Sequence, residues 1–253
     1  MAQAAGKGAG SIIERAGEAV DIWNFPQEPW HLGTVLGYPV DVNAPTMVFT
    51  WVTMALVLFL AVLAARGADV RRPSRLAVAF EELFELVRSL IDENFDREKG
   101  RGLLALMVTL LLFITVANLL GVVPAFSAPT ADHNTTFALA GIIFVLSYVL
   151  GIRYRGGEFL RDFLKPFAFF LPVRLIEEVA RPTTLAMRLF GNIKAKEVMI
   201  LALLGIITGT AEIAGGFLAS VVWLGFSVFL SFIQAFIFMM LSIAYIAMAV
   251  SGE

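Results

Sequence analysis

Cysteine is absent from the 253 residues, which excludes disulfides and thiolate metal centres. Histidine occurs twice, at His31 and His133, and both lie outside the apolar runs. No paired-histidine metal site and no imidazole-based nucleophile is therefore expected within a membrane. Charge is scarce as well: 16% of residues are Asp, Glu, Lys or Arg, against about 25% in soluble globular proteins. From Phe217 to Val250 the only ionisable side chain is Tyr245. A net charge of −2 offers no footprint for nucleic acid. The first 45 residues lack the basic, apolar and small-residue order of a cleavable signal peptide.

Apolar residues fill the space left by charge. They make up 58% of the chain, and mean hydropathy is +0.81, which indicates an integral membrane protein and one polytopic domain over residues 1–253. Residues 1–45 are mixed, with Trp23, Phe25, Pro26 and Trp30 suggesting an interfacial segment. A first span is expected over 46–66, a stretch of about 20 residues, the length that crosses a bilayer core. Arg66, Arg71, Arg72 and Arg75 follow it. Within 72–98, Leu76, Phe80, Leu83, Phe84, Val87, Leu90 and Ile91 recur at helical spacing between acidic and basic residues, predicting an amphipathic helix on the membrane surface. Further spans are expected at 103–124 and 135–152.

Arginine and lysine collect after the first and third spans and are absent from Pro124 to Asn134. By the positive-inside rule the N-terminus lies outside and the C-terminus in the cytoplasm. The last part, 172–250, reads as a helical hairpin. Its second half, Phe217 to Val250, would reach about 50 Å as one helix. It is either one strongly tilted helix or two short spans, and no strong Gly or Pro break separates two. Ser227, Ser231 and Gln234 form a sparse polar line along it. The expected fold is all-α, with about five spans, a surface helix and a long tilted hairpin at the end.

The first half of the hairpin carries the unusual feature. Arg174, Glu177, Arg181, Thr184, Arg188 and Asn192 fall within roughly 40° of one line on a helix. An Arg at the centre of a span costs about 2.5–3.5 kcal/mol on insertion scales. A stripe of this kind lines water or meets a polar partner; it does not face lipid. Pro182 interrupts the pattern, so a kink, or the start of a deeper helix near Arg181, is expected there.

The run Arg181-Pro-Thr-Thr-Leu-Ala-Met-Arg-Leu-Phe-Gly-Asn192, the later Gln234-Ala-Phe-Ile-Phe-Met239 and the loop Pro129-Thr-Ala-Asp-His-Asn-Thr135 resemble subunit a of F-type ATP synthases. The resemblance extends from about Pro45 to Val250. It implies a subunit that is not catalytic alone, has no cofactor or metal, and sits in the inner membrane of a bacterium. Its partners would be the c-subunit ring, the b-type peripheral stalk, the rest of the ATP synthase and the lipid bilayer. It also implies two offset aqueous half-channels, through which ring carboxylates are protonated from one side and release protons to the other.

In that scheme Arg188 is the fixed charge at the ring contact. An opposite charge within about 4–6 Å favours the ionised carboxylate, and arginine stays protonated at any biological pH. Asn192 and Gln234 match polar residues beside that arginine. Glu197 matches an acidic residue of a half-channel, although helical geometry turns it about 180° from Arg188. Glu177 and Glu178 resemble an acidic pair at the cytoplasmic exit, and Asp132 belongs to the outer loop. Two positions depart from the pattern. Ser227 stands where some relatives have histidine, so no histidine relay is assumed. Lys196 stands where many have glycine; it either tunes proton uptake at high pH or snorkels to the interface.

The competing class is a free-standing secondary transporter whose Arg stripe binds an anionic solute. The chain shows neither an internal repeat nor the paired broken helices of such proteins.

Overall fold

Helix α1 (Ala44–Arg66) begins with Pro45 in its first turn, where the missing N–H is no loss. Gly67 ends it, donating its N–H to the Leu63 and Ala64 carbonyls at 3.1 Å. The structure is a computed structural model that describes residues 30–35, 38–69, 72–95, 100, 102–122, 128–162, 169, 171–207 and 213–251. The expectations for Trp23, Phe25 and Pro26, and for the turn around Glu212, fall outside those residues. Ahead of α1, strands β1 (Trp30–Val35) and β2 (Tyr38–Val42) pair antiparallel, with Trp30 opposite Val42. This small hairpin was not anticipated in the N-terminal segment.

Ser74 caps α2 (Arg75–Asn94), its Oγ accepting the Ala77 N–H at 3.1 Å. One face of α2 is buried through Ala77, Val87 and Ile91, while Glu81, Glu82 and Glu85 are exposed. Helix α3 (Leu103–Leu120) follows, then a 3-10 turn at Pro129–Ala131. Asp132 caps α4 (His133–Arg155), accepting the Asn134 N–H at 2.9 Å. Gly156, at φ 57°, supplies the left-handed turn into the short α5 (Gly157–Asp162). Two long helices complete the chain, α6 (Leu171–Ile207) and α7 (Ile213–Ser251).

Among the described residues four helices are long and apolar enough to cross a membrane: α1, α3, α4 and the Ser220–Ser251 part of α7. Helix α6 is a fifth long helix, of 37 residues, and carries the charged stripe. Apart from the β1–β2 hairpin, the protein is an all-α integral membrane protein among the described residues. Two of the sequence expectations resolve here. Pro182 lies inside α6 without ending it, and α7 is one uninterrupted helix of 39 residues rather than two short spans.

Helix α7 lies at the centre, packed by α2, α3, α4 and α6. The core joins Met107 and Ile114 of α3, Ile143 of α4, Leu185 and Leu189 of α6, and Phe238, Met239, Ile243 and Ile246 of α7. Helix α1 is peripheral. It buries Phe49 and Thr53 and exposes Trp51, Leu58 and Phe59, as a lipid-facing helix does. Close approach of α4, α5 and α7 depends on Gly151. A Cβ there would lie 2.7 Å from the Phe159 ring and 3.1 Å from the Ala249 carbonyl oxygen.

Two polar ties fix which ends come together. Thr46 Oγ1 donates to Asp132 Oδ2 at 3.1 Å, and Thr130 Oγ1 donates to Asn118 Oδ1 at 2.9 Å. The start of α1, the end of α3 and the start of α4 therefore share one end of the bundle, called here the loop end. Arg66, Arg153 and Arg155 close the opposite turns of α1 and α4, making the other end basic. Helix α6 runs antiparallel to α4: Tyr148 meets Glu178 at the basic end, and the His133 ring packs 3.6 Å from that of Phe190 at the loop end.

Candidate functional site

Helix α6 carries three polar levels along its length. The first is at the basic end. Arg181 donates from Nη2 to Glu177 Oε1 at 2.9 Å, and its Nη1 lies 3.2 Å from Glu178 Oε1. Both pairs follow from the i,i+4 and i,i+3 spacing of the sequence. Tyr148 of α4 donates its hydroxyl to the other Glu178 oxygen, Oε2, at 3.2 Å. These groups line a cavity of about 290 Å³, which also receives Arg155, Arg174 and, from α7, Tyr245. Pro182 borders the same cavity. With no N–H of its own, it leaves the Glu178 carbonyl without the usual helix donor. A freed carbonyl inside a membrane is tolerated where it meets protein donors or water, and a polar cavity provides that setting.

The third level lies at the loop end, between α6, α7 and α3. Asn192 Nδ2 donates to Gln234 Oε1. One turn further along, Lys196 Nζ donates to Ser231 Oγ at 2.8 Å, with the lysine only 3% exposed. Ser231 Oγ is 2.8 Å from the Ser227 carbonyl and 3.4 Å from that of Asn118. Through Thr130, the Asn118 side chain connects this group to the loop. Asn118 Nδ2, Ser227 Oγ and Gln234 Nε2 are buried and have no hydrogen-bond partner among the described residues. Buried polar groups are costly unless something satisfies them, and this region is a polar interior among apolar helices.

Arg188 forms the middle level. By helical rise it stands about 10 Å beyond Arg181 and about 6 Å short of Asn192. Its side chain is exposed on the outer surface of the bundle, and among the described residues it has no hydrogen bond or ion pair. The opposite face of α6 at this height is fully apolar. Leu185, Ala186, Leu189 and Ile193 are buried with Ala235, Phe238 and Met239 of α7. Inside the bundle this apolar layer lies between the two polar levels.

The structure thus brings Glu177 and Glu178 together at one end, and Asn192, Gln234, Lys196 and Ser227 at the other, with Arg188 between them. Lys196 is buried and donates to Ser231, so its ammonium points into the bundle and not to the bundle surface. Asp132 serves as the α4 cap and accepts Thr46. Glu197 lies on α6, and its side chain falls outside the described residues. Sequence reasoning passed over Asn118, Thr130 and Tyr148. Two of these carried a signal: Asn118 is the lone amide of the apolar run 103–123, and Tyr148 the lone ionisable residue of the run 135–152.

An exposed arginine, without a partner among the described residues, on a stripe that runs from the Glu177–Glu178–Arg181 cluster to the Asn192–Gln234 pair is also the setting of the Arg181–Asn192 motif. Comparison with known proteins bears on this directly. The model of the family described as ATP synthase A chain matches residues 47–247. The chain belongs to the ATP synthase A chain family. Its similarity to members of that family extends over most of both sequences. It is 42% identical over 240 residues to ATP synthase subunit a of Desulforamulus reducens, covering 92% of this chain and 90% of that one. It is 36% identical over 238 residues to ATP synthase subunit a of Macrococcus caseolyticus, covering 90% and 98%. With ATP synthase subunit a of Bacillus subtilis the identity is 34% over 229 residues, covering 83% and 93%. The region matched by the A chain family model includes every site residue discussed above.

Proposed function

We propose that this chain is the ion-conducting membrane subunit of a bacterial F-type ATP synthase, coupling proton flow to rotation of a ring of c subunits and so to ATP synthesis. The polar levels at the two ends of α6 serve as two half-channels. The basic end faces the cytoplasm by the positive-inside rule, so Glu177, Glu178 and Tyr148 belong to the cytoplasmic half-channel. Asn192, Gln234, Lys196, Ser227 and Asn118 belong to the outer one, with Glu197 on the same stretch of helix and Asp132 in the loop above.

The observation that carries this reading is the placement of Arg188. It is exposed, without a partner among the described residues, and level with the apolar layer that divides the two polar regions. A permanent cation on a lipid-level surface needs an anion from outside the chain. A ring carboxylate arriving at that surface supplies one, and the guanidinium favours its ionised form. The same charge repels protons from the shortest path between the half-channels, so that protons pass only by riding the ring. Met187 beside Arg188 on α6, and Phe229, Phe232 and Phe236 of α7, are exposed apolar side chains, suited to a ring or lipid contact. The b-type stalk would hold the subunit still against the turning ring.

The test replaces Arg188 with Ala in the assembled complex in vesicles, measuring proton-driven ATP synthesis and passive proton leak. Loss of synthesis with assembly intact supports the ring-facing charge, and increased leak adds the separating role. Normal synthesis overturns the proposal.

A further inference from the structure

Tyr148 lies outside the motifs that carry the family resemblance, yet it is the group from α4 that reaches the Glu178 carboxylate. Its hydroxyl is 3.2 Å from Oε2, while Arg181 takes Oε1 at 3.2 Å. The carboxylate is thereby held from two helices at once, with both oxygens engaged. The phenol ring is itself fixed. It packs against Phe144 at 4.6 Å between centroids and edge-on against Phe159 at 5.4 Å, and Phe159 is seated over Gly151. This aromatic corner gives the hydroxyl a defined position at low entropic cost.

We propose that Tyr148 is a positioning residue of the cytoplasmic half-channel, orienting the Glu178 carboxylate within the cavity between α4, α6 and α7. The inference rests on the reading of that cavity as a proton path. Arg181 alone would draw Glu178 along its own helix beside Glu177. The Tyr148 hydroxyl pulls the second oxygen across toward α4 and away from Glu177, whose side chain is 60% exposed against 22% for Glu178. A hydroxyl both donates and accepts, so it can follow the carboxylate through either protonation state. The other charged or titratable groups facing this cavity are Glu177, Arg174 and Arg181 from α6, Arg155 from α4 and Tyr245 from α7.

The experiment compares Tyr148→Phe, Glu178→Gln and the double variant in the complete ATP synthase in vesicles. It measures proton-driven synthesis while the pH is varied separately on each side. Tyr148→Phe keeps the ring and its packing and removes only the hydroxyl. The expected result is a several-fold lower turnover with normal assembly. The pH profile shifts for the cytoplasmic compartment alone, and Tyr148→Phe has no further effect in the Glu178→Gln background. A normal rate and profile in Tyr148→Phe overturns the proposal. So does the same proportional loss in both backgrounds, which would mean that Tyr148 acts independently of Glu178, or a shift of equal size on both sides. If Glu178→Gln by itself leaves rate and profile unchanged, the reading of the cavity as a proton path falls first, and the role of Tyr148 with it.

Discussion

Lys196 and Ser231 form a buried pair, Nζ to Oγ at 2.8 Å, joining α6 to α7 where the lysine is 3% exposed. Ser231 spends its own proton on the Ser227 carbonyl at 2.8 Å, which leaves an oxygen lone pair for the lysine. Removing one partner of a buried bond leaves the other desolvated, at about 1–3 kcal/mol, and more for a charged group. Ser231→Ala is therefore expected to lower the thermal stability of the purified membrane sector. Lys196→Met combined with Ser231→Ala recovers most of it. Thermal unfolding of the two variants checks this, and equal losses in the single and double variants would contradict it.

Lys196 is also one helical turn from the Asn192–Gln234 pair. If its cation sets how readily protons enter the outer half-channel, Lys196→Gly shifts the dependence of synthesis on outer pH. An unchanged profile would leave Lys196 a structural cation only.

The two carboxylates beside Arg181 differ in exposure, and their substitutions should differ accordingly. Glu177 is 60% exposed, and an ion pair of that kind contributes roughly 0–1 kcal/mol. Glu178 is 22% exposed and also accepts Tyr148. Glu177→Gln is expected to leave unfolding within about 0.5 kcal/mol of the parent, whereas Glu178→Ala destabilises more. Denaturation in parallel would show the order, and a larger effect at Glu177 would refute it.

Gly151 offers a purely steric prediction. A methyl group there meets the Phe159 ring, which can shift, and the Ala249 backbone oxygen at 3.1 Å, which moves only with α7. Overpacking of this kind costs about 1–3 kcal/mol. Gly151→Ala should reduce stability, and Phe159→Leu in the same chain should relieve part of the loss, as measured by thermal unfolding.

The spans were legible because lipid demands continuous apolar runs. The stretch behind Thr46 and the charge-free run around Gln234 are readable from composition alone, and the i,i+4 spacing of Glu177 and Arg181 already contained their ion pair. Pairings across helices were not readable. Nothing in the run 135–152 says that Tyr148 faces Glu178, because a periodic apolar segment does not reveal which neighbour each face meets. The burial of Lys196 was hidden for the opposite reason. A lysine in a membrane helix has a long stem and two ways to satisfy its charge, and only the neighbouring Ser231 decides between them. The β-hairpin at Trp30–Val42 was masked by a mixed composition with weak alternation.

The antiparallel contact of α4 with α6 has one further consequence. Between Tyr148 opposite Glu178 and His133 opposite Phe190, α6 has already climbed most of the depth that α4 provides. The helix nevertheless continues to Ile207, for a total length of about 55 Å against a hydrocarbon core of about 30 Å. An upright helix of that length would overshoot the core by about 25 Å, so a helix that keeps to the membrane leans. Such a lean would displace the two polar ends of α6 sideways from one another, as well as in depth. That sideways displacement has a hand, set by the side toward which the helix leans. On the half-channel reading proposed above, a mirror-image lean would turn the same downhill flow into the opposite sense of torque, so the slant of one helix would set the sense of rotation.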